Sequence, residues 1–465
     1  MGGLFGVVSN SNCLEDLFYG TDYHSHLGTR RGGLAVKNSG GFQRFIKNIT
    51  TAQFRSKFEK DIKKMHGNKG IGVISDYDDQ PLIISSHLGV FAICTVGRIN
   101  NIEDLAKEAL NNGTHFSEMH GGEINPTEMI ATLISQGSSF EEGIQKVQDL
   151  VDGSCTMLIL TNEGIYAARD KLGRTPLIIG EKSGAYAITM ETCAFPNLGY
   201  KIIKFLGPGE IIFINESEIE QKVPPGDRLQ ICGFLWVYYG YPASNYENIN
   251  VEVVRYKCGA YLARYNSVEI DLVAGIPDSG TGHGLGYASE AKIPFSRPFV
   301  KYTPTWPRSF MPQDQEIRDT VAKMKLIPIK ELINKKRLLF CEDSIVRGTQ
   351  LKKTIQRLYE YGAKEVHMRP ACPPLVYSCK FLNFSRSRSE LDLAGRWAIK
   401  ELIGENIDDP IEYTDPDSDK YKAMVDMIRK RLGLTTLCYQ RLEDLVNAIG
   451  LPKEKICTYC WDGIE

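Results

Sequence analysis

The first half of the chain consists of short apolar segments separated by turn residues, with helical patterns between them. Gly70–Ser75, Phe91–Val96 and Thr156–Thr161 are examples of these apolar runs. Short runs rich in β-branched residues and bounded by turn residues are typical of strands. A segment that contains Pro and Gly, Val223–Asp227, then predicts a linker. The pattern therefore predicts a first domain, rich in strands, over residues 1–225.

After the linker the pattern changes to strand, Gly-containing loop and helix. Val268–Gly275 runs into Ile276–Gly280, and Arg337–Cys341 runs into an acidic pair and a second loop with Gly. One helical face after that loop collects Leu351, Ile355 and Leu358, and Gly362 supplies a stop. This repetition predicts an α/β domain with a parallel sheet over residues 226–430, followed by a C-terminal tail over residues 431–465. Ligands of such sheets bind at the carboxyl ends of the strands.

Length and charge narrow the class of protein. A chain of 465 residues is long enough for two or three domains. The 55 Lys and Arg residues nearly balance 57 Asp and Glu, which gives no electrostatic footprint for nucleic acid or an anionic membrane. The longest uncharged apolar stretch, Ile231–Ala243, is too short to span a bilayer. We expect a cytoplasmic protein with no nucleic-acid or membrane partner.

The twelve cysteines are few for this length, and most are scattered singly. In a reducing compartment we expect most of them to be small buried side chains. The exception is Cys457-Thr-Tyr-Cys460, close to the end of the sequence. Such a pair alone is weak evidence, because it also occurs by chance, in redox pairs and in half of a zinc site.

The clearest chemical motif runs from Leu338 to Thr349. A buried strand ends in Glu342 and Asp343, and a short turn leads into a helix: Ser344, Ile345, Val346, Arg347, Gly348 and Thr349. Exposed N–H groups in such a turn suit a phosphate, and adjacent carboxylates suit ribose hydroxyls and Mg²⁺. An isolated acidic pair is more often a helix cap. Twelve successive positions fit here, and the stretch resembles the ribose-phosphate motif of type I phosphoribosyltransferases.

A second loop and a basic segment agree with this interpretation. The loop Gly275–Gly280 resembles the pyrophosphate loop of amidophosphoribosyltransferases, with Pro277, Asp278, Ser279 and Gly280 as candidate binding residues and Ser279 as a candidate Mg²⁺ ligand. The segment with Lys301, Arg308 and Lys325 is similar to the basic lid of that family. Basic runs are more often solvated helix faces, but this one lies between two phosphate loops.

The resemblance to the amidophosphoribosyltransferase family covers nearly the whole chain. Counterparts in the family's glutaminase half are Gly2–Val7, Arg169–Leu177, Glu191–Ala194 and Gly207–Glu210. It implies an α+β N-terminal-nucleophile amidotransferase sandwich of four layers (αββα), followed by an α/β type I phosphoribosyltransferase domain.

The same resemblance implies a function. Nitrogen from ammonia or glutamine would displace pyrophosphate from phosphoribosyl pyrophosphate and give 5-phosphoribosylamine for purine biosynthesis. Ser279, Glu342 and Asp343 would serve Mg²⁺ and the ribose hydroxyls. The resemblance also implies purine nucleotides as possible effectors and a homo-oligomer, a tetramer.

The glutaminase half departs from the family pattern. The nucleophilic Cys of the family is replaced by Gly2, and Cys13 lies beyond the first strand. The glutamine-binding Arg-Tyr-Ser-Thr segment falls on Ile74–Tyr77, the oxyanion Asn-Gly pair on Val96-Gly97, and a substrate-binding acid on Pro126. We expect a retained domain that does not hydrolyse glutamine, and an enzyme that accepts ammonia.

Two further cysteines, Cys232 and Cys379, lie where the iron–sulfur branch of the family has them. With Cys457 and Cys460 they make four thiolates, the usual complement of a 4Fe-4S cluster. Zinc in a four-Cys site uses the same ligands and is the alternative.

Two other functions remain open on the sequence. One is a regulatory paralogue that binds phosphoribosyl pyrophosphate or nucleotides without catalysis. The other is a phosphoribosyltransferase with a different nucleophile. Loss of the glutaminase residues with survival of both phosphate loops argues for an enzyme that has kept one of its two activities.

Overall fold

A computed structural model describes residues 2–120, 122–265, 267–302, 326–382 and 390–465. In these ranges no helix combines the length and the apolar character that crossing a membrane requires. The chain forms two units, which are hydrogen-bonded to each other at several places, among them Arg98 to Cys379 and Tyr246 to Glu191.

The first unit is built on strands that turn back on one another. Their bounds are β1 Gly3–Ser9, β2 Arg31–Asn38, β3 Gly41–Asn48, β4 Lys69–Ser75, β5 Leu82–Ser86, β6 Gly89–Ile99, β7 Met119–His120, β8 Glu123–Ile124, β9 Gly153–Leu160, β10 Ile165–Ala168, β11 Ile178–Lys182, β12 Ala185–Thr189, β13 Lys201–Phe205, β14 Ile211–Ile214 and β15 Ile219–Val223. One sheet has the order β13-β11-β12-β1-β4-β2-β3 and a second has the order β15-β14-β10-β9-β6-β5.

Helices cover the outer faces of both sheets. They are α1 Leu14–Asp22, α2 Phe54–Ile62, α3 Ile102–Asn111, α4 Pro126–Ile134, α5 Phe140–Leu150 and α6 Ala194–Leu198. Strands β1 and β4 are buried on both faces: Leu4 and Val73 face the second sheet, whereas Phe5 and Ile74 face α1 and α2. Burial on both faces explains why these strands are continuous apolar runs in the sequence. The layers are helix, sheet, sheet and helix, as predicted.

The second unit contains a parallel sheet. Its strands and the neighbouring short ones are β16 Ile231–Cys232, β17 Asn245–Tyr246, β18 Ile249–Asn250, β19 Leu272–Gly275, β20 Phe299–Lys301, β21 Leu326–Pro328, β22 Arg337–Glu342, β23 Glu365–Pro370, β24 Thr436–Leu437 and β25 Ile456–Cys457. The order β19-β22-β23-β24 is parallel throughout.

Helices lie on both faces of this sheet, as expected for an α/β domain. They are α7 Val251–Ala263, α8 Thr281–Ala291, α9 Lys330–Ile333, α10 Thr349–Glu360, α11 Ala394–Ile403, α12 Asp419–Leu432, α13 Leu442–Ile449 and α14 Tyr459–Asp462, with a π-helical turn at Leu235–Tyr239 and 3-10 turns at Glu390–Asp392, Ile411–Tyr413 and Lys453–Lys455. The predicted stripe on α10 packs inward through Ile355 and Leu358, and Leu351 is partly buried beside them.

Two features differ from the sequence prediction. Strand β19 begins at Leu272 and not at Val268, because the Asp271 carboxylate is engaged by the N–H and the guanidinium of Arg337, at 2.7 and 2.8 Å. The segment predicted as a separate tail, 431–465, is packed into the second unit. It adds β24 to the sheet, and α13 packs in the same core as α7.

Candidate active site and cysteine centre

The two predicted phosphate loops meet at the carboxyl ends of β19 and β22. These strands are parallel neighbours, with Gly275 opposite Cys341. The Ile276 N–H donates to the Cys341 carbonyl at 3.0 Å. A Cβ on Gly280 would lie 2.2 Å from the same carbonyl oxygen, so only glycine allows this approach. The first loop is therefore folded directly against the end of the second strand.

A side-chain hydrogen bond joins the loops at the acidic pair. Ser279 Oγ donates to Glu342 Oε1 at 2.9 Å, and the Asp343 N–H donates to the same oxygen at 3.1 Å. Asp343 is 4% exposed, and its Oδ1 accepts from Ser344 Oγ at 2.6 Å. Burial, and then the charge of Asp343, raises the pKa of Glu342 well above its ordinary value. Two crowded carboxylates of this kind are suited to a bound cation.

Arg255, which no sequence motif indicated, contributes positive charge within electrostatic reach of Asp343. It is 4% exposed, and its guanidinium donates to the carbonyls of Trp236, Tyr238 and Gly240. Burial lowers the pKa of Arg255, whereas the charge of Asp343 opposes that change. An arginine among the apolar positions of the buried face of α7 was the available sequence signal.

The predicted ribose-phosphate loop is anchored by its two apolar residues. Ile345 is buried and Val346 packs against the neighbouring core, while the Val346 carbonyl accepts from the Ala394 N–H at 2.7 Å. Gly348 has φ +74°, a left-handed conformation, just before α10 begins at Thr349. With their side chains held in the core, Ile345 and Val346 can offer a phosphate only their backbone N–H groups.

One residue of the predicted basic segment reaches the first loop. Lys301 ends β20, and its Nζ lies 2.6 Å from Asp278 Oδ2 on a largely exposed surface. Arg308 and Lys325 lie outside the described residues. Ser279, Glu342, Asp343 and Lys301 are therefore brought to one edge of the sheet.

The position that would carry the glutaminase nucleophile is closed. Gly2 is buried immediately before β1, and a Cβ there would lie 2.5 Å from the Ile74 carbonyl oxygen and 3.2 Å from Val96 Cγ2. Cys13 is 1% exposed next to α1, and burial raises the pKa of its thiol to about 12. Neither residue offers a reactive thiolate.

The other departures from the glutaminase pattern have structural roles. Val96 and Gly97 lie inside β6, opposite Thr156 and Cys155 of β9. Pro126 occupies the first turn of α4 behind the Asn125 cap, a position where its missing N–H costs nothing.

An acid also occupies the predicted glutamine-binding segment. Asp76 Oδ1 accepts from the Thr29 N–H at 2.7 Å and from Thr29 Oγ1 at 3.2 Å. A carboxylate at this place would repel the carboxylate of glutamine.

The four predicted cysteines line one small cavity together with Arg174, Phe234, Phe381, Leu382 and Trp461. Strands β16 and β25 pair so that Cys232 lies opposite Cys457, and the Cys460 carbonyl accepts from the N–H groups of Val376 and Tyr377. The N–H groups of Phe381 and Leu382 donate to Cys379 Sγ at 3.4 and 3.3 Å.

Three of the four cysteines are buried, Cys457 is partly exposed, and the thiols are close enough to affect one another's pKa. Burial and the neighbouring Cys457 and Cys379 raise the pKa of Cys232 well above its ordinary value. A hydrogen bond to Cys379, and then burial, does the same for the pKa of Cys460. Across the described residues, no three side chains of His, Cys, Asp or Glu are already gathered round one metal-ion position.

Comparison with known proteins agrees with both halves of this structure. A family model for a glutamine amidotransferase domain matches residues 68–196. The amidophosphoribosyltransferase of Methanocaldococcus jannaschii is 28% identical, and the match covers 100% of this chain and 97% of the relative. That of Archaeoglobus fulgidus is 32% identical over 70% of each chain. The chain belongs to the amidophosphoribosyltransferase family.

A solved structure extends the similarity to the arrangement of the two units. The glutamine phosphoribosylpyrophosphate amidotransferase from B. subtilis, complexed with ADP and GMP, superposes with a TM-score of 0.84 at 26% identity, over 99% of this chain and 96% of that one. The predicted family, the αββα and phosphoribosyltransferase folds, and the enzyme class are confirmed. The protein is a glycosyltransferase of the amidophosphoribosyltransferase type.

Proposed function

We propose that the protein transfers a nitrogen nucleophile to C1 of Mg²⁺-bound phosphoribosyl pyrophosphate, with release of pyrophosphate and formation of 5-phosphoribosylamine. The observation that carries the proposal is the junction of the two loops, where Ser279 hydrogen-bonds to Glu342 beside the buried Asp343. A leaving pyrophosphate and a ribose with vicinal hydroxyls need this combination of hydroxyl, carboxylates and loop N–H groups.

Each part of the site has its own task in this reaction. Ser279, Glu342 and Asp343 would hold Mg²⁺, which supplies Lewis-acid stabilisation of the leaving pyrophosphate when bound. The 344–349 loop would hold the 5-phosphate, and the residues Pro277–Gly280 would hold the pyrophosphate. Lys301, with Arg308 and Lys325 as further members of the same basic segment, would neutralise the charge that develops on the leaving group.

Ammonia is the proposed nitrogen donor. Amide cleavage needs a strong nucleophile, and Gly2 has neither a thiol nor room for one beside Ile74 and Val96. Ammonia is small and needs no binding domain of its own. The first unit is therefore proposed to be inactive as a glutaminase.

A 4Fe-4S cluster is the proposed occupant of the cysteine centre. Four cysteines around one cavity fit a Cys₄-ligated cluster, with zinc as the alternative. We expect about four irons per chain in anaerobically purified protein, and loss of iron in Cys457→Ser. Elemental analysis with one zinc and no iron would contradict the cluster.

Purine nucleotides are proposed as effectors, and a homotetramer in the cytoplasm as the working assembly. The support is the family: the B. subtilis relative was solved with ADP and GMP. These parts of the proposal do not affect the chemistry of the site.

The test is pyrophosphate release from phosphoribosyl pyrophosphate. We expect release that requires both Mg²⁺ and an ammonium salt. Tight binding of phosphoribosyl pyrophosphate without any release would instead favour the regulatory paralogue. Release that depends on another amine and not on ammonium would favour a phosphoribosyltransferase with a different nucleophile.

A further inference from the structure

Arg174 belongs to the first unit but extends into the cysteine centre of the second. It follows a tight turn in which the Gly173 N–H donates to the Asp170 carbonyl at 2.9 Å, with φ +64° at Gly173. The Arg174 carbonyl then accepts from the Cys232 N–H at 3.1 Å. The backbone of the first unit is thus hydrogen-bonded directly to one of the four cysteines.

The side chain of Arg174 is buried in the wall of the cavity. It is 4% exposed, and its guanidinium carbon lies 3.4 Å from the centre of the Phe381 ring. Its Nη2 donates to Gln230 Oε1 at 3.3 Å. Its Nε is buried and has no hydrogen-bond partner within the described part of the chain. The Arg174 guanidinium therefore has a buried N–H without an acceptor, and burial of its charge is not fully offset by the hydrogen bonds that the protein provides.

Negative charge from the cysteines would supply the missing partner. Metal-bound cysteines are thiolates, and four of them around one cluster leave a net negative charge in a buried place. Donors near cluster sulfurs stabilise the ligands and tune the reduction potential. The guanidinium lines the same cavity as Cys457 and Cys460.

We propose that Arg174 is a positioning residue of the metal centre, compensating its charge and donating a hydrogen bond to its sulfur. The first unit, without glutaminase chemistry, would then be retained partly because it completes this centre. The inference rests on the proposed four-cysteine metal site.

A second contact from the first unit supports the same role. Arg98 Nη1 donates to the Cys379 carbonyl at 2.6 Å, and Asn100 Nδ2 donates to the Lys380 carbonyl at 3.0 Å. Both residues hold the backbone of the segment that carries Cys379. Two separate parts of the first unit therefore contact the centre.

The test compares Arg174→Met, Arg174→Lys and the unaltered protein after anaerobic purification. The measurements are iron, zinc and sulfide per chain, the rate of iron loss to a chelator in air, and the midpoint potential. In Arg174→Met we expect iron to be lost at least about tenfold faster. We also expect a more negative midpoint potential, since a positive charge is removed. Arg174→Lys keeps the charge, so its rate of iron loss and its midpoint potential should lie between those of Arg174→Met and the unaltered protein.

The matched control is Arg264→Met, which removes an arginine stacked on Tyr261 on the surface, 4.4 Å from the ring centre. It should leave metal content, loss rate and potential unchanged. If Arg174→Met does not fold, Arg174→Gln removes the charge but keeps a donor, and we expect faster metal loss there also. Equal loss rates and potentials in all variants would overturn the inference, whereas an unaltered protein without metal would overturn the metal centre itself.

Discussion

At the scale of single residues, the acidic pair at the end of β22 carries most of the proposed chemistry. Asp343 is buried, so its charge is costly without a cation nearby. We expect Asp343→Asn to lower the Mg²⁺-dependent affinity for phosphoribosyl pyrophosphate by at least about 100-fold, because it removes a charge that faces the metal. Isothermal calorimetry with and without Mg²⁺ measures this.

The control for that experiment is Asp426→Asn, which removes an exposed carboxylate paired with Arg429 and Lys430 on α12. It should leave the affinity unchanged. Unchanged affinity in Asp343→Asn as well would mean that Glu342 and Asp343 only cap the following helix, and the proposed function would fall.

His24 makes the first unit sensitive to acid. It is completely buried beside Gly20 and Thr189, and burial lowers its pKa to about 4. In the unfolded chain the His24 ring takes up a proton below about pH 6.5. In the folded chain it does so only below about pH 4. The neutral form of His24 therefore makes its full contribution to the free energy of unfolding above pH 6.5. We expect about 3 kcal/mol of this free energy to be lost as the pH drops towards 4.

Urea unfolding at pH 7.5 and 4.5 checks this prediction in the unaltered protein and in His24→Asn. The difference in unfolding free energy between the two pH values should be smaller by about 2–3 kcal/mol in the variant, whatever its stability at pH 7.5. Burial also lowers the pKa of His283, but its effect on the pH dependence of unfolding is the same in both proteins. The same pH difference in both proteins would contradict the role given to His24.

The roles of Arg174 and Arg255 depend on residues distant in the sequence and were not predictable. Arg174 lies in a segment recognised by family resemblance and Arg255 lies on α7, but only the folded chain brings Arg174 to the cysteines and Arg255 within electrostatic reach of Asp343. Glu191 was recognised as part of a family segment. Its carboxylate accepts hydrogen bonds from His26 and, in the second unit, from Tyr246, at 3.1 and 2.7 Å.

At the scale of elements, the conformation of the first predicted phosphate loop, Gly275–Gly280, depends on its close approach to β22. Gly280→Ala would place a methyl group 2.2 Å from the Cys341 carbonyl oxygen, so the loop must move away from Glu342. We expect a KM for phosphoribosyl pyrophosphate raised at least about tenfold, and a loss of stability of about 1–3 kcal/mol. Steady-state kinetics and urea unfolding measure the two effects.

The matched control for the loop is Gly226→Ala. This glycine lies between the units, and the nearest atom to a new Cβ is the Pro208 carbonyl oxygen at 3.7 Å, an ordinary contact. Its KM should not change. If Gly280→Ala had the kinetics of the unaltered enzyme, the packing of the loop against β22 would have no part in substrate binding.

Elements whose periodicity matches their burial were predictable. The three apolar runs named in the first unit correspond to β4, β6 and β9, and the stripe on α10 packs inward as predicted. The start of β19 was not predicted correctly. The Arg337 N–H donates to the side chain of Asp271, where a strand would offer a backbone carbonyl. The packing of residues 431–465 into the second unit was also not predicted, because β24 has only two residues and no pattern of its own.

At the scale of the whole molecule, the two sites that the family resemblance implies differ in how many of the expected residues are present. The two phosphate loops keep their junction at Ser279 and Glu342. The nucleophile position at Gly2 is enclosed by Ile74 and Val96. The sequence alone revealed the missing Cys, whereas the closure of the space around Gly2 required the folded structure.

The nitrogen donor is the property that distinguishes this account most directly from an ordinary bifunctional enzyme. The measurement supplies phosphoribosyl pyrophosphate and Mg²⁺ with either an ammonium salt or glutamine freed of ammonia, and follows pyrophosphate and glutamate together. We predict pyrophosphate with ammonium, and neither product with glutamine, because no thiolate is present to attack the amide. Glutamate formed in step with pyrophosphate would contradict the account, since an unrecognised nucleophile would then exist.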